Sequence, residues 1–104
     1  MYEWDEAKRE TNLRKHHLDF WVAHLVYENP EKITYRLKTE PEARFLDLAL
    51  VEIKGAVLAL VYTMRNGNVR FISFRYASRK ERRRYAAAKS RYELLGLGQE
   101  TDCH

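Results

Sequence analysis

Between Lys32 and Tyr76 the chain is a succession of segments with apolar residues at strand spacing, broken only by short turn sequences. In Lys32 to Lys38, Ile33, Tyr35 and Leu37 share one face, and Lys32, Thr34, Arg36 and Lys38 the other. Arg44 to Ile53 alternates again, with Leu46, Leu48 and Leu50 opposite Phe45, Asp47 and Val51. Lys54-Gly55 makes a tight turn. Val57 to Thr63 is apolar on both faces, which suits a central strand. Asn66-Gly67 is a strong two-residue hairpin signal, and Val69 to Tyr76 follows as a strand. Consecutive hairpins predict an antiparallel four-stranded meander.

The flanks read as helices. Glu3-Trp4 could open with a brief strand. Asp5 suits the N-cap of a helix over Glu6 to His16, whose apolar stripe is thin, Ala7 and Leu13. His17 stands where a C-cap glycine is expected. Asp19 then caps a second helix to about Tyr27, with Phe20, Val22, Ala23, Val26 and Tyr27 on its buried face, stopped by Glu28-Asn29-Pro30. Ser78-x-x-Glu81 is a capping box. It opens a basic helix to about Leu95, with Tyr85, Ala88, Tyr92 and Leu95 as its stripe and Gly96 and Gly98 at its end. The expectation is an α+β fold in order α-α-β-β-β-β-α. Two N-terminal helices cover one face of the sheet, and the last helix or a partner part-covers the other. Residues 1–95 form one domain and 96–104 a flexible tail.

Several classes fall away. The longest apolar run, Ala56 to Tyr62, is seven residues, against about 20 for a membrane span. The N-terminus MYEWDEAKRE has no apolar signal core, so a cytoplasmic protein is expected. A single cysteine, Cys103, permits neither an intrachain disulfide nor a cysteine-based zinc site. His16 and His17 are adjacent, about 100° apart on a helix, and chelate one metal poorly. There is no Gly-rich phosphate loop, no His-Glu-x-x-His and no Gly-x-Ser-x-Gly. No metal or cofactor is expected. The net charge of +4 is uneven: Arg79 to Arg91 holds seven basic residues and Glu81, which leaves the rest of the chain at −2. Such a segment suits phosphate polyanions or an acidic protein, or is simply a solvated helix face.

What chemistry remains is basic, aromatic and acid–base: Lys15, His16, Glu42, Arg44, Arg70, Arg75 and Tyr85. That set suits metal-independent RNA cleavage, which needs a base for the 2′-OH, cations for the phosphorane and an acid for the leaving oxygen. His16 titrates nearest neutrality; its plainer reading is a helix-end histidine bonded to terminal carbonyls. Glu42 reads equally as a loop carboxylate paired with Arg44, and Tyr85 as a core residue of its helix. Strict alternation puts Arg70 and Arg75 on opposite faces. Trp4 and Trp21 read as core or edge packing.

These residues also fall into ordered words: Trp4-Asp5-Glu6-x-Lys8, Asn12, Lys15-His16 and Phe20, then Glu42-x-Arg44-Phe45 and Leu60-Val61-Tyr62-Thr63-x-Arg65. Arg70-x-Ile72-Ser73-x-Arg75-x-Ala77, Glu81-Arg82 and Tyr85 follow. Over about residues 3 to 85 the chain resembles the BrnT toxins of bacterial type II toxin–antitoxin operons. That resemblance implies a RelE-like fold and a ribonuclease that cuts mRNA and slows growth. It implies a BrnA-type antitoxin partner with a ribbon-helix-helix DNA-binding part, the complex repressing its own operon. Carried onto this chain, the implied catalytic residues are Lys15, His16, Glu42, Arg44, Arg75 and Tyr85, with Arg70, Arg79, Arg82 and Arg83 as RNA contacts. The chain departs from the family at His17, where glycine is usual, and at Phe74, where a small residue is usual. Its Trp21 to Tyr27 segment is also more apolar. Phe74 either enlarges the core or narrows a substrate surface. Two other classes compete: a non-catalytic nucleic-acid-binding module or degenerate toxin working through the basic helix, and a structural partner that docks an acidic protein.

Overall fold

The computed structural model describes residues 1–37 and 40–94. Along these run β1 (Tyr2–Glu3), α1 (Glu6–His16), a 3-10 turn (Phe20–Val22), α2 (His24–Tyr27), β2 (Ile33–Leu37), β3 (Arg44–Val51), β4 (Ala56–Arg65), β5 (Asn68–Tyr76) and α3 (Arg79–Leu94). The sheet order is β1-β5-β4-β3-β2. Strands β2 to β5 form the expected antiparallel meander. β1 adds to it in parallel, Tyr2 opposite Val69 and Glu3 opposite Arg70, so the sheet is five-stranded and mixed rather than purely antiparallel. α1, the 3-10 turn, α2 and strands β2 to β4 lie between β1 and β5, a connection long enough for parallel pairing.

Local signals shaped most elements. The Asp5 carboxylate accepts from the Ala7 and Lys8 amides. Asn66 and Gly67 both have positive φ, 53° and 81°, as a two-residue hairpin of the favoured twist requires. Glu81 N–H donates to Ser78 Oγ at 3.2 Å, and Ser78 N–H donates to the Glu81 carboxylate at 2.8 Å, a complete capping box. His17 takes the left-handed conformation at the end of α1, φ 60°, a position that glycine fills without steric cost.

The second helix departs from expectation. Asp19 does cap it, accepting from the Trp21 amide at 3.1 Å, but only a 3-10 turn follows and the α-helix restarts after Ala23. Phe20-Trp21-Val22 are aromatic or β-branched and lose rotamer freedom in an α-turn. The 3-10 turn buries Phe20 while Trp21 stays 65% exposed.

Two apolar layers sandwich the sheet. Under the 3-10 turn and α2 lie Phe20, Val26, Leu58, Leu60, Phe71 and Phe74, with Trp4 stacked on Phe71 at the rim. Phe74 is fully buried here, so this departure from the family enlarges the core. The opposite face holds Leu46, Leu48, Ala59 and Ala77 beneath Tyr85 of α3, with Ile33, Tyr35, Leu37, Val57 and Val61 half-buried around them. The buried carboxylate of Asp47 is satisfied by Lys32 Nζ (2.7 Å), Thr34 Oγ1 (2.7 Å) and Tyr62 OH (3.1 Å), which ties β2, β3 and β4 together.

α1 is not a face-covering helix. Its one buried residue is Asn12 rather than Ala7 or Leu13. The Asn12 amide accepts from Phe74 N–H (3.0 Å) and donates to the carbonyls of Phe74 (2.7 Å) and Leu18 (3.0 Å). It pairs with β5 as a neighbouring strand would, beyond the point where β1 ends, so α1 lies along the β5 edge. The expected tail, Leu95 and the side chain of Tyr92 fall outside the described residues.

Candidate functional site

β5 carries an irregularity that decides which side chains share a face. Val61 pairs with Ser73 but Tyr62 pairs with Phe71, so Ile72 is an extra residue, a β-bulge. On its two sides Arg70 pairs with Thr63 and Arg75 with Ala59. Thr63 and Ala59 are four residues apart on β4 and so share a face. The bulge therefore reverses the expected alternation and brings Arg70 and Arg75 to the same side, the α3 side. Arg44 joins them, one rung beyond the Phe45–Tyr62 pair.

Three ranks cross this face. Leu48–Ala59–Arg75 is one and Leu46–Val61–Ser73 the next. Arg44, Thr63 and Arg70 make a third. Four residues of strand separate the first rank from the third, about 13 Å, so Arg75 and the Arg44–Arg70 pair stand well apart on the same face. Arg44 has neither ion pair nor hydrogen bond among the described residues. Arg70 is tied to Glu3 at 3.0 Å.

Lys15 and His16 end α1 beside the bulge. With Asn12, Ile72 and Ser73 they line a groove of about 330 Å³. His16 is half-buried and its pKa is lowered, first by burial and then by the positive charges of Lys15, Arg75 and His17. The imidazole is thus biased to its neutral, proton-accepting form and stands within the field of Arg75. It makes no hydrogen bond to the helix-end carbonyls or to any other described residue, unlike its plainer reading. Lys15, His16 and Ser73 thus share one groove, and Arg75, held by Glu81, acts on His16 through its charge.

The other candidates sit elsewhere. Glu42 pairs with Arg65 at 3.3 Å, not with Arg44. Arg65 lies six residues along β4 from Ala59, about 20 Å, so Glu42 does not act with His16. Tyr85 is only 9% exposed, and its hydroxyl accepts the Leu50 amide at 3.4 Å. Its ring roofs the second apolar layer, as its core reading requires. Arg75 itself is engaged: its guanidinium grips the Glu81 carboxylate at 2.7 and 3.0 Å. That pair holds the Glu81 pKa down to about 2, with Arg75 the first cause. Arg82 donates to the Ala77 carbonyl at 3.0 Å, and Arg84 lies 3.8 Å over the Tyr35 ring. Arg79, Lys80 and Arg83 remain exposed, without partners among the described residues.

Sequence reasoning missed the work of Asn12 and the pairing of Arg75 with Glu81. Both residues stand in ordered words of the sequence, but their partners are distant or on another element. Among the described residues no group of three or more His, Cys, Asp or Glu side chains could hold a metal ion, and no helix is long and apolar enough to cross a membrane.

A family model described as "Ribonuclease toxin, BrnT, of type II toxin-antitoxin system" matches residues 4–81. The match stops at Glu81, before most of the basic helix. No curated protein matches the chain.

Proposed function

The chain belongs to the BrnT family of ribonuclease toxins of type II toxin–antitoxin systems, and from that membership we propose that it cleaves mRNA at the α1–β5 groove without a metal. One observation carries the reading: a half-buried histidine beside Lys15 in a groove open to solvent, within the electrostatic reach of Arg75. His16 takes the proton of the ribose 2′-OH. The 2′-oxygen attacks the adjacent phosphorus, and Lys15 and Arg75 stabilise the charge that builds on the phosphorane. The 5′-oxygen leaves with a proton from solvent, and the products are a 2′,3′-cyclic phosphate and a 5′-hydroxyl. Arg44 and Arg70, on the far rank of the same face, hold neighbouring phosphates. Arg79 and Arg83 of α3 extend the cationic track.

A family toxin works against a cognate antitoxin. We infer a BrnA-type partner with a ribbon-helix-helix DNA-binding part, which covers the half-open α3 face and carries the complex to operator DNA. The engagement of Arg75 with Glu81 favours one alternative specifically, a binding module that has lost cleavage.

Purified protein incubated with labelled RNA in EDTA separates the two. Cleavage to cyclic-phosphate ends that His16→Ala abolishes supports the catalytic reading. Tight RNA binding with no product, and normal growth on induced expression without the antitoxin, supports the binding module.

A further inference from the structure

The two lysines of α1 share one side of the helix and its two glutamates the other. Lys8 and Lys15, seven residues apart, fall within about 20° of each other on a 3.6-residue helix, and Thr11 lies one turn on from Lys8 on that side. Glu6 and Glu10 fall on the opposite side, and Glu6 accepts from Trp4 Nε1 there. Lys8, Thr11 and Lys15 all line the groove against β5, facing Ser73 over a floor that includes Ile72. Among the described residues no carboxylate lines the groove and neither lysine has a partner. A merely solvated lysine face would need no concavity and no converging hydroxyls. This one has both: Thr11 and Ser73 each line the concavity, and Thr11 Oγ1, which accepts from Arg14 at 3.5 Å, keeps its own proton to donate.

Resting on the ribonuclease reading above, we propose that Lys8, Thr11 and Ser73 form a subsite for an RNA backbone phosphate adjacent to the one held at His16 and Arg75. The strand runs along α1 toward its N-terminus. Lys8 and Lys15 leave the helix about 10 Å apart along its axis, which suits two successive phosphates of one strand better than a single one. Lys8 neutralises the outer phosphate while the two hydroxyls donate to its oxygens. These contacts touch no reacting atom, so they strengthen substrate and transition-state binding alike.

The test uses the full chain, a single-stranded oligoribonucleotide methylated at every 2′-oxygen for binding, and its unmodified counterpart for cleavage. Lys8→Ala and Thr11→Val, both on an exposed helix side, should keep the wild-type melting temperature. For Lys8→Ala the expected result is binding weakened about five- to tenfold at low salt, with the slope of log K against log salt shallower by about 0.7. KM should rise in step while kcat stays within twofold. Unchanged affinity and slope in a wild-type background that cleaves RNA overturn the subsite and leave the ribonuclease reading intact. Lys8-dependent binding by a chain that never cleaves supports the subsite and overturns the ribonuclease reading. A chain that neither binds nor cleaves overturns both. A fall in kcat at constant KM overturns the subsite. So does slower antitoxin association with RNA affinity unchanged, which would give the groove to the protein partner.

Discussion

Arg75 and Glu81 show how one ion pair can serve the helix, the sheet and the site together. Glu81 closes the capping box of α3 and at the same time grips a guanidinium that rises from β5. The geometry is two-pronged, and the carboxylate is 15% exposed, so the pair is worth more than a surface bridge. The sign with pH is determined. Glu81 binds its proton more weakly in the folded chain, at about 2 against 4.5. The stability it supplies, about 2–3 kcal/mol, is therefore complete above pH 4.5 and is lost as the pH falls toward 2. Glu81→Gln should cost about 2 kcal/mol at pH 7, measured by urea unfolding. The gap to wild type should close through pH 4 and 3. A gap that stays constant across that range would assign the loss to the cap alone, with no part for the charge.

At the scale of elements, what could be read in advance is what depends on neighbours in the chain. Asp5, Asn66-Gly67 and the Ser78–Glu81 box each specify a boundary through contacts within about four residues. The alternation of β2 and β3 is equally local, because one face meets the core. The bulge at Ile72 was not legible: an isoleucine in a strand carries no mark of being the extra residue, and only the register against β4 reveals it. With it went the relation of Arg70 to Arg75, and hence the grouping of the site. β1 is two residues long and has no period to read. Glu42 found Arg65, 23 residues on, in preference to its near neighbour Arg44, because the β3–β4 pairing brings the two loop ends together. α1 was placed correctly along the chain but for the wrong attachment, since a polar side chain and not an apolar stripe fastens it. Asn12→Ala should accordingly remove three hydrogen bonds to backbone groups of Phe74 and Leu18. The cost is about 2–4 kcal/mol. Amide exchange at Phe74 should accelerate well beyond that of the β3–β4 pairs, and uniform acceleration would deny α1 its part in closing that edge.

Over the whole molecule, charge and apolar cover are arranged toward a partner. Arg79 and Lys80 sit at the start of α3, where the helix dipole disfavours cations, so their charge does not serve the helix. With Arg83 they are without partners among the described residues, whereas Arg82 and Arg84 are committed to Ala77 and Tyr35. Changing Arg79, Lys80 and Arg83 to Glu should slow association with the antitoxin at least tenfold at low salt and much less at high salt, with dissociation little altered. Stopped-flow mixing across a salt series reads this directly; equal rates throughout would mean the steering charge lies elsewhere. The asymmetry of the sheet has its own consequence. On one side the margin is only the two residues of β1, with the Asn12 amide occupying the backbone of β5 where β1 gives out, and on the other β2 presents the outer backbone groups of five residues, unpaired by any described strand. A sheet with two available margins can recruit copies without end, as fibres do. A sheet with one margin long enough to pair can be matched only once. Two molecules that met along β2 would exhaust each other's bonding capacity, and growth would halt at the pair.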